Sequence, residues 1–359
     1  MTTKLLTLED LLRMMVDRGG SDLHVTAGSP PRIRVDGELL PIDEEKLMPE
    51  TSQQLVYSIL NNEQIARFEK NLELDLSFGI SGLGRFRVNV FQQRGAVGAV
   101  MRIIPWQVRS VKELGLPQQM CEHLCMLPKG LILITGATGS GKSTTLAAMV
   151  DYINNTRNAH VVTIEDPIEF VHKNKKCLFN QREVGTDTHS FGAALRSVLR
   201  EDPDVILIGE MRDMETIESA LTLAETGHLV FGTLHTSDCV QTINRVIDVF
   251  PAYQQAQIRT QFSFTLQAVF CQQLLARSNG KGRVLAAEIM IANAAIRALI
   301  RDDKGHQIYS MIQTGGKEGM KTMNASLFEL YRGGHITYEE ALAHSTDTED
   351  LRLMFQRKM

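Results

Sequence analysis

The first hundred residues change from a helical spacing of apolar residues to a strand-like one. After Thr7, a candidate N-cap, the spacing of an amphipathic helix is kept by Leu8, Leu11, Leu12, Met15 and Val16. From Ser21 the spacing becomes two, with the hairpin turn signal Asp36-Gly37, and a helical stretch at 51–70 separates these strands from later alternating ones. Residues 1–104 are therefore predicted to form a small α+β domain with an antiparallel sheet.

The rest of the chain has the pattern of an α/β domain. Prolines at both ends of 105–117 interrupt the periodicity, so this segment is predicted to be a linker. Beyond it, strand-length runs that are apolar on both faces adjoin helical segments at Gly130–Thr135, His160–Ile164, Val205–Ile208 and Leu229–Thr233. Such runs indicate a mainly parallel sheet covered by helices. Residues 118–359 are the predicted second domain, with a helical tail from about residue 292.

Composition narrows the class of protein. With 43% hydrophobic and 22% charged residues, the chain is typical of a soluble globular protein. It has no apolar run of the roughly 18–20 residues that cross a bilayer, and its first residues lack the order of a signal peptide, so we expect a cytoplasmic protein. The net charge of −4 argues against a surface built for DNA but leaves a local basic patch open. Five cysteines without a C-x-x-C pair are expected to be reduced thiols.

One segment carries a specific chemical signal. The pattern G-x-x-x-x-G-K-[ST], followed by Thr144, is formed by Gly136, Ala137, Thr138, Gly139, Ser140, Gly141, Lys142 and Ser143. It lies between a predicted strand and a predicted helix, as a phosphate-binding loop must. The backbone would wrap the phosphates of ATP, Lys142 would reach the β- and γ-phosphates, and Ser143 would bind Mg²⁺.

Acidic residues and histidines follow the other predicted strands. The run Asp204–Ile208 is followed by Gly209, where a metal-binding Asp is usual, and by Glu210, a candidate for polarising water. The cluster 165–169 follows another strand, and spacing alone leaves Glu165 equally a functional carboxylate or a helix cap. His235 at the end of a strand and His228 at its start are each either structural or reporters of nucleotide state.

These segments together resemble a known family. Four segments are similar, in the same order, to the Walker A, Asp, Walker B and His boxes of the secretion-superfamily ATPases. They are the phosphate loop, Glu165–Glu169, Arg200–Asp204 with Ile208–Asp213, and Thr226–Thr236. Within that superfamily the chain is most similar to the type IV pilus retraction ATPases, on motifs at Ser21–His24, Arg32–Gly37, Gly84–Asn89, Gln181–Val184 and Ile312–Gly316. The resemblance implies a PAS-like amino-terminal domain, a RecA-like motor domain and a hexameric ring.

The resemblance also implies roles for individual residues. Glu210, Glu165 and His235 would act in catalysis, and Mg²⁺ would be held by Ser143, Glu165 and Glu210, partly through water. Arg85 and Arg87 share one face of their strand and would reach the nucleotide across a domain cleft, although the pattern alone favours a solvated sheet face. Arg297 belongs to Ala295–Leu299, which lacks the Gly of the retraction-linked motif A-I-R-A-G-L.

The implied function is an ATP-driven hexameric motor for pilus retraction and twitching motility. It would act at the cytoplasmic face of the inner membrane on a platform protein, and only indirectly on the pilin filament. An accessory retraction ATPase stays open as an alternative, whereas the near-neutral charge argues against a nucleic-acid translocase and Glu210 argues against a nucleotide-binding scaffold without hydrolysis. An assembly ATPase is a weaker alternative, because that branch typically carries a further amino-terminal domain and a four-cysteine metal site, neither of which is readable here. No DNA partner is expected.

Overall fold

In the computed structural model, which describes residues 6–35, 37–104 and 107–357, the chain divides into two units, Met1–Gln107 and Val108–Met359. Pro105, where the predicted linker starts, lies outside the described residues. Trp106 does so too, and from Gln107 onward the segment is not a free linker, because Val111 and Leu116 are buried in the core of the second unit. The prediction relied on the two prolines and did not consider that apolar residues between them could pack into the core.

The first unit combines three helices with an antiparallel sheet in its described part. Its elements are α1 (Leu8–Asp17), β1 (Asp22–Thr26), β2 (Arg32–Val35), β3 (Glu38–Pro41), α2 (Pro49–Tyr57), α3 (Asn62–Asn71), β4 (Glu73–Ile80), β5 (Gly84–Gln93) and β6 (Ala96–Ile104). The sheet order is β3-β2-β1-β6-β5-β4. The single helical stretch predicted at 51–70 is two helices, because Asn61 forms a capping box with Gln64 that starts a new helix. Asp36 of the predicted turn lies outside the described residues.

The core of the first unit confirms the predicted helix face. Leu8, Leu11, Leu12 and Met15 of α1 are buried together with the apolar residues of β5, Phe86, Val88 and Val90. Arg85 and Arg87 alternate with these buried residues and lie on the opposite face of β5. The period-two pattern therefore identified both faces of the strand.

The second unit is the predicted α/β domain. Its strands are β7 (Gly130–Thr135), β8 (His160–Glu165), β9 (Leu178–Glu183), β10 (Val205–Ile208), β11 (Leu229–Leu234), β12 (Leu266–Ala276) and β13 (Arg283–Ile291). They lie in the order β13-β12-β7-β11-β10-β8-β9, and every neighbouring pair is parallel except β12 and β13. The four predicted strands are confirmed, whereas β9, β12 and β13 were not predicted.

Helices cover both faces of this sheet. They are α4 (Gln118–Cys125), α5 (Lys142–Thr156), α6 (Phe191–Val198), α7 (Met214–Glu225), α8 (Cys239–Asp248), α9 (Ala252–Thr265), α10 (Ala294–Arg301), α11 (Ile308–Thr314), α12 (Met323–Arg332), α13 (Tyr338–Ala343) and α14 (Thr348–Arg357), with 3₁₀ turns at Gly305–Gln307 and Gly315–Glu318. Along β7, Leu131 and Leu133 belong to one core cluster and Ile132 and Ile134 to the other, which explains why the strand is apolar throughout. The tail is helical from Ala294, close to the predicted start.

None of the helices in the described ranges is both long and apolar enough to pass through a bilayer. All five cysteines are free thiols, as the sequence predicted, and all five are buried.

Candidate nucleotide-binding site

The predicted phosphate loop connects the carboxyl end of β7 with the first turn of α5. Gly136, Gly139 and Gly141 have φ values of 137°, 81° and 92°, which other residues rarely adopt. A Cβ atom at Gly136 would lie 2.4 Å from the carbonyl oxygen of Gln272. No side chain caps the amino end of α5, so the amides of its first turn are available to an anion.

Lys142 lies over this loop. Its Nζ atom donates hydrogen bonds to the carbonyl oxygens of Gly136 and Ala137, at 2.8 and 3.1 Å. Burial lowers the pKa of Lys142, while the carboxylates of Glu210 and Glu169 raise it. These acceptors are uncharged carbonyls. Lys142 Nζ can therefore exchange them for a charged phosphate oxygen, which forms a stronger hydrogen bond.

The loop opens into a cavity of about 470 Å³ whose lining residues all belong to the second unit. The predicted site residues that line it are Thr138, Gly139, Gly141, Lys142, Ser143, Thr144, Glu165, Glu210 and His235. Gly136, Ala137 and Ser140 belong to the loop but are not among the lining residues. Three strand ends and one helix start thus contribute to one cavity, which is the usual place for a ligand in a parallel sheet.

Glu210 and His235 come together at the ends of β10 and β11. Glu210 Oε1 lies 2.6 Å from Nε of Arg212 and 3.0 Å from Nε2 of His235. The hydrogen bond from Arg212 lowers the pKa of Glu210, with further contributions from the charges of Arg212, His235 and Lys142. Glu210 is therefore ionised at neutral pH and can accept a proton.

Glu165 has a different environment at the end of β8. Its carboxylate accepts hydrogen bonds from Thr163 Oγ1 at 2.7 Å, from Gln181 Nε2 at 3.2 Å and from the backbone amide of Glu169 at 3.4 Å. Burial raises its pKa against these bonds. The pKa values of Glu165 and Glu210 are thus shifted in opposite directions, a pattern that is typical of groups with different tasks in one site.

The oxygen donors of the cavity suit Mg²⁺. Ser143, Glu165 and Glu210 supply a hydroxyl and two carboxylates, which are hard ligands of the kind this ion prefers. A Cβ atom at Gly209 would lie 3.1 Å from the Cα atom of Glu165. The backbone of β8 is therefore too close to leave room for an aspartate side chain at position 209. The chain therefore offers its carboxylates at 165 and 210 rather than at 209.

His228 does not lie at this site. It precedes β11, and its Nδ1 atom lies 3.0 Å from the carbonyl oxygen of Leu223. His235 is at the other end of the same strand, roughly 20 Å away at about 3.3 Å per residue. Strand direction therefore places His228 at the edge of the sheet opposite the phosphate loop, and a role for it in reporting nucleotide state remains a prediction.

Arg297 and the two arginines of the first unit have contacts of their own. Arg297 donates hydrogen bonds to the carbonyl oxygens of Ser263 and Phe264 at the end of α9, at 2.6 and 2.8 Å, and so binds α10 to α9. Arg85 Nη2 donates to Ser77 Oγ at 2.6 Å, and Arg87 is exposed. The roles implied for these arginines remain predictions.

Sequence reasoning missed several lining residues. Arg212, which contacts Glu210, could have been found because it lies two positions away and is charged. Arg283 Nη1 lies 3.5 Å from the carbonyl oxygen of Gly139, but it belongs to β13, a strand that was not predicted. His172 also lines the cavity from the segment between β8 and β9, where no motif indicated it.

Comparison with known proteins shows extensive similarity. Residues 3–343 match the family described as Type II/IV secretion system protein. The chain is 54% identical to the type IV pilus retractation ATPase PilT of Pseudomonas aeruginosa over 334 residues, 93% of this chain and 96% of that protein. It is 42% identical to the type IV pilus ATPase PilU of the same organism over 348 residues, 97% and 91% of the two chains. A crystal structure of the pilus retraction motor PilT with bound ADP superposes with a TM-score of 0.90 and 51% identity, covering 97% of this chain and all of that one.

Proposed function

Because the chain belongs to the Type II/IV secretion system protein family, we propose that it is the ATPase that powers retraction of a type IV pilus and thereby twitching motility. Higher identity to PilT than to PilU favours the main retraction motor over the accessory one. We propose further that it works as a homo-hexamer on a platform protein of the inner membrane, at the cytoplasmic face.

The observation that supports hydrolysis is the position of Glu210. An ionised carboxylate lines the same cavity as Lys142 and Ser143, so a proton acceptor is available where the terminal phosphate would bind. Lys142 and the loop amides hold the phosphates, and Glu210 takes the proton of the attacking water. His235 contacts Glu210 from the next strand and orients it.

Ser143, Glu165 and Glu210 would hold Mg²⁺, partly through water, and the ion would neutralise charge on the phosphate oxygens. Glu165 is fixed by its hydrogen bonds from Thr163 and Gln181, so it is suited to keeping a ligand water in place. This separates its role from that of Glu210, which is the one we assign to proton transfer.

Phosphate release tests the assignment. Glu210→Gln keeps the shape of the side chain but loses the proton acceptor, so turnover should fall by about 10²–10⁴-fold with ATP still bound. Lys142→Ala should lose nucleotide affinity by about 10–150-fold, as expected for a hydrogen bond to a charged group. Calorimetric titration with a slowly hydrolysed ATP analogue separates the two effects. Normal turnover in Glu210→Gln together with an inactive Glu165→Gln would reverse the two roles.

A cellular experiment tests retraction itself. Deleting the gene should leave cells whose pili extend but do not retract, and the wild-type gene should restore retraction while Glu210→Gln should not. Loss of pili on deletion would instead indicate an assembly motor. Unchanged retraction would indicate an accessory one.

A further inference from the structure

Three ligand-type side chains meet in the core behind the phosphate loop. Cys239 is the first residue of α8, Cys271 is in β12 and Glu288 is in β13, and their exposed fractions are 0%, 0% and 2%. Their ligand atoms lie within 4.8 Å of one another, and the two Sγ atoms are 3.7 Å apart. Neither Cys121 nor Cys125, the buried cysteines of α4, belongs to such a cluster in the described ranges.

The charge of this cluster needs an explanation. Glu288 has no cationic side chain as an ion-pair partner among the residues that the structure describes; its oxygens accept hydrogen bonds from the amides of Cys239 at 2.9 Å and Met323 at 3.4 Å. Burial raises the pKa of Glu288 and of the Cys239 thiol. Acidic groups this deeply buried usually pair with a cation or coordinate a metal.

We propose that Cys239, Cys271 and Glu288 form a structural Zn²⁺ site. Zn–S bonds of about 2.3 Å in a tetrahedral arrangement place two sulfur atoms about 3.8 Å apart, close to the separation found here. Two thiolates and the two oxygens of Glu288 supply four donor atoms. Cysteine binds Zn²⁺ as a thiolate, so binding releases thiol protons and tightens as pH rises.

The surroundings of the cluster stabilise the bound form. The hydroxyl of Thr135 donates a hydrogen bond to Cys271 Sγ at 3.0 Å, which favours a thiolate there. Cys239 and Met323 begin α8 and α12, so two helix amino ends face the carboxylate and offset the single negative charge that remains. Thiolates are soft ligands, so this site would select Zn²⁺ over the Mg²⁺ proposed for the nucleotide cavity.

Such a site would stabilise the elements around the nucleotide. Thr135 directly precedes the phosphate loop. Cys239 directly follows residues 235–238, a segment that begins with His235 of the nucleotide cavity. Zn²⁺ would fix β12, β13 and the start of α8 to one another behind these segments. Its effect is on stability and does not depend on the proposed motor function.

Metal content is the direct test. The full chain is purified with a phosphine reductant, because dithiols remove Zn²⁺, and metal is counted by mass spectrometry. We expect about one Zn²⁺ per chain. It should be retained in Cys121→Ser/Cys125→Ser, which loses two buried thiols of α4, and absent from Cys239→Ser/Cys271→Ser. Glu288→Gln should lower the affinity for Zn²⁺ by at least about tenfold.

A measurement on the unmodified chain guards against variants that fail to fold. Co²⁺ added to the metal-free protein should give the near-ultraviolet absorption of a thiolate–cobalt bond, and Zn²⁺ should displace it. A wild-type chain with neither Zn²⁺ nor this absorption would overturn the proposal. Equal Zn²⁺ in the wild type and in Cys239→Ser/Cys271→Ser would also overturn it, since the metal would then be bound elsewhere.

Discussion

At the scale of single residues, neighbours shift the pKa values of Glu210 and Glu165 in opposite directions. Glu210 receives its shortest hydrogen bond from a charged guanidinium, whereas Glu165 receives its own from a hydroxyl, an amide side chain and a backbone amide. Charged donors stabilise the ionised form more than neutral ones do, and burial opposes it in both cases. The pKa of Glu210 is therefore lowered and that of Glu165 raised, although both glutamates follow apolar strands in the sequence.

Burial also shifts the pKa of a histidine that lines the cavity, His172. Its ring stacks on Phe179 with centroids 4.9 Å apart, and burial lowers its pKa to about 4 from an ordinary 6.5. The folded chain keeps His172 neutral at pH 5, whereas the unfolded chain protonates it. The stability that His172 contributes is present above about pH 6.5 and is lost as pH falls towards 4.

We expect the free energy of unfolding to drop between pH 7 and pH 5 by up to about 2 kcal/mol more in the wild type than in His172→Phe. Urea unfolding of the nucleotide-free protein at both pH values measures this difference. His123→Phe, which changes an exposed histidine of α4, should behave like the wild type. Equal losses in the wild type and His172→Phe would show that the buried ring titrates normally.

At the scale of elements, β12 packs against both the phosphate loop and the helix that follows it. The carbonyl oxygen of Gln272 faces Gly136, and Gln272 Nε2 donates to Thr145 Oγ1 in α5 at 2.8 Å. One residue of β12 thus contacts both the loop and the helix that follows it. Gly136 is therefore limited by a neighbouring strand as well as by its own φ, whereas Gly139 is limited only by φ, since a Cβ there would meet nothing within 4 Å.

This contrast predicts unequal effects of two alanine substitutions. Gly139→Ala should cost about 1–2 kcal/mol from the left-handed backbone alone. Gly136→Ala should cost more, because its Cβ also meets a backbone carbonyl that cannot rotate away. Thermal unfolding without nucleotide compares the two variants. Equal destabilisation would mean that β12 moves aside without a penalty.

The same elements show what the sequence could and could not reveal. The strands with continuous apolar runs, such as β7, were predictable because both faces of each are buried under helices. β12 was missed because polar residues, among them Gln272, interrupt it, and β9 because it is a largely polar edge strand. The phosphate loop and Glu210 were found because their chemistry is local in sequence. Arg283 was missed because it belongs to β13, an unpredicted strand, and only the assembled sheet shows that this residue lies beside the loop.

At the scale of the whole molecule, the proposed ring makes hydrolysis depend on assembly. If neighbouring chains complete the site, the mass in solution should rise to about six chains with ATP, and turnover per chain should increase with protein concentration. Light scattering and phosphate release over a dilution series measure both. A monomer with full activity at every concentration would rule out the ring.

The arginines of β5 allow a second test of the ring. Arg85→Glu/Arg87→Glu should lower turnover far more than nucleotide affinity, because arginine charge is needed mainly when phosphate is transferred. Arg87→Glu alone changes an exposed residue and guards against loss of folding. Arg18→Glu/Arg67→Glu reverses two exposed charges elsewhere in the first unit and should leave turnover unchanged. Equal turnover in both double variants would remove the arginines from the mechanism.

The strand order of the second unit also has a consequence for synthesis of the chain. β7 is hydrogen-bonded to β11 and β12, and the contact between Thr135 and Cys271 joins residues 136 positions apart. The phosphate loop is translated early, but its supporting strand leaves the ribosome only after most of the unit has been made. The first unit, whose strands all lie within residues 22–104, can fold sooner. We therefore expect the amino-terminal unit of a nascent chain to fold before the chain can bind nucleotide, and ATP to play no part in the early steps of folding.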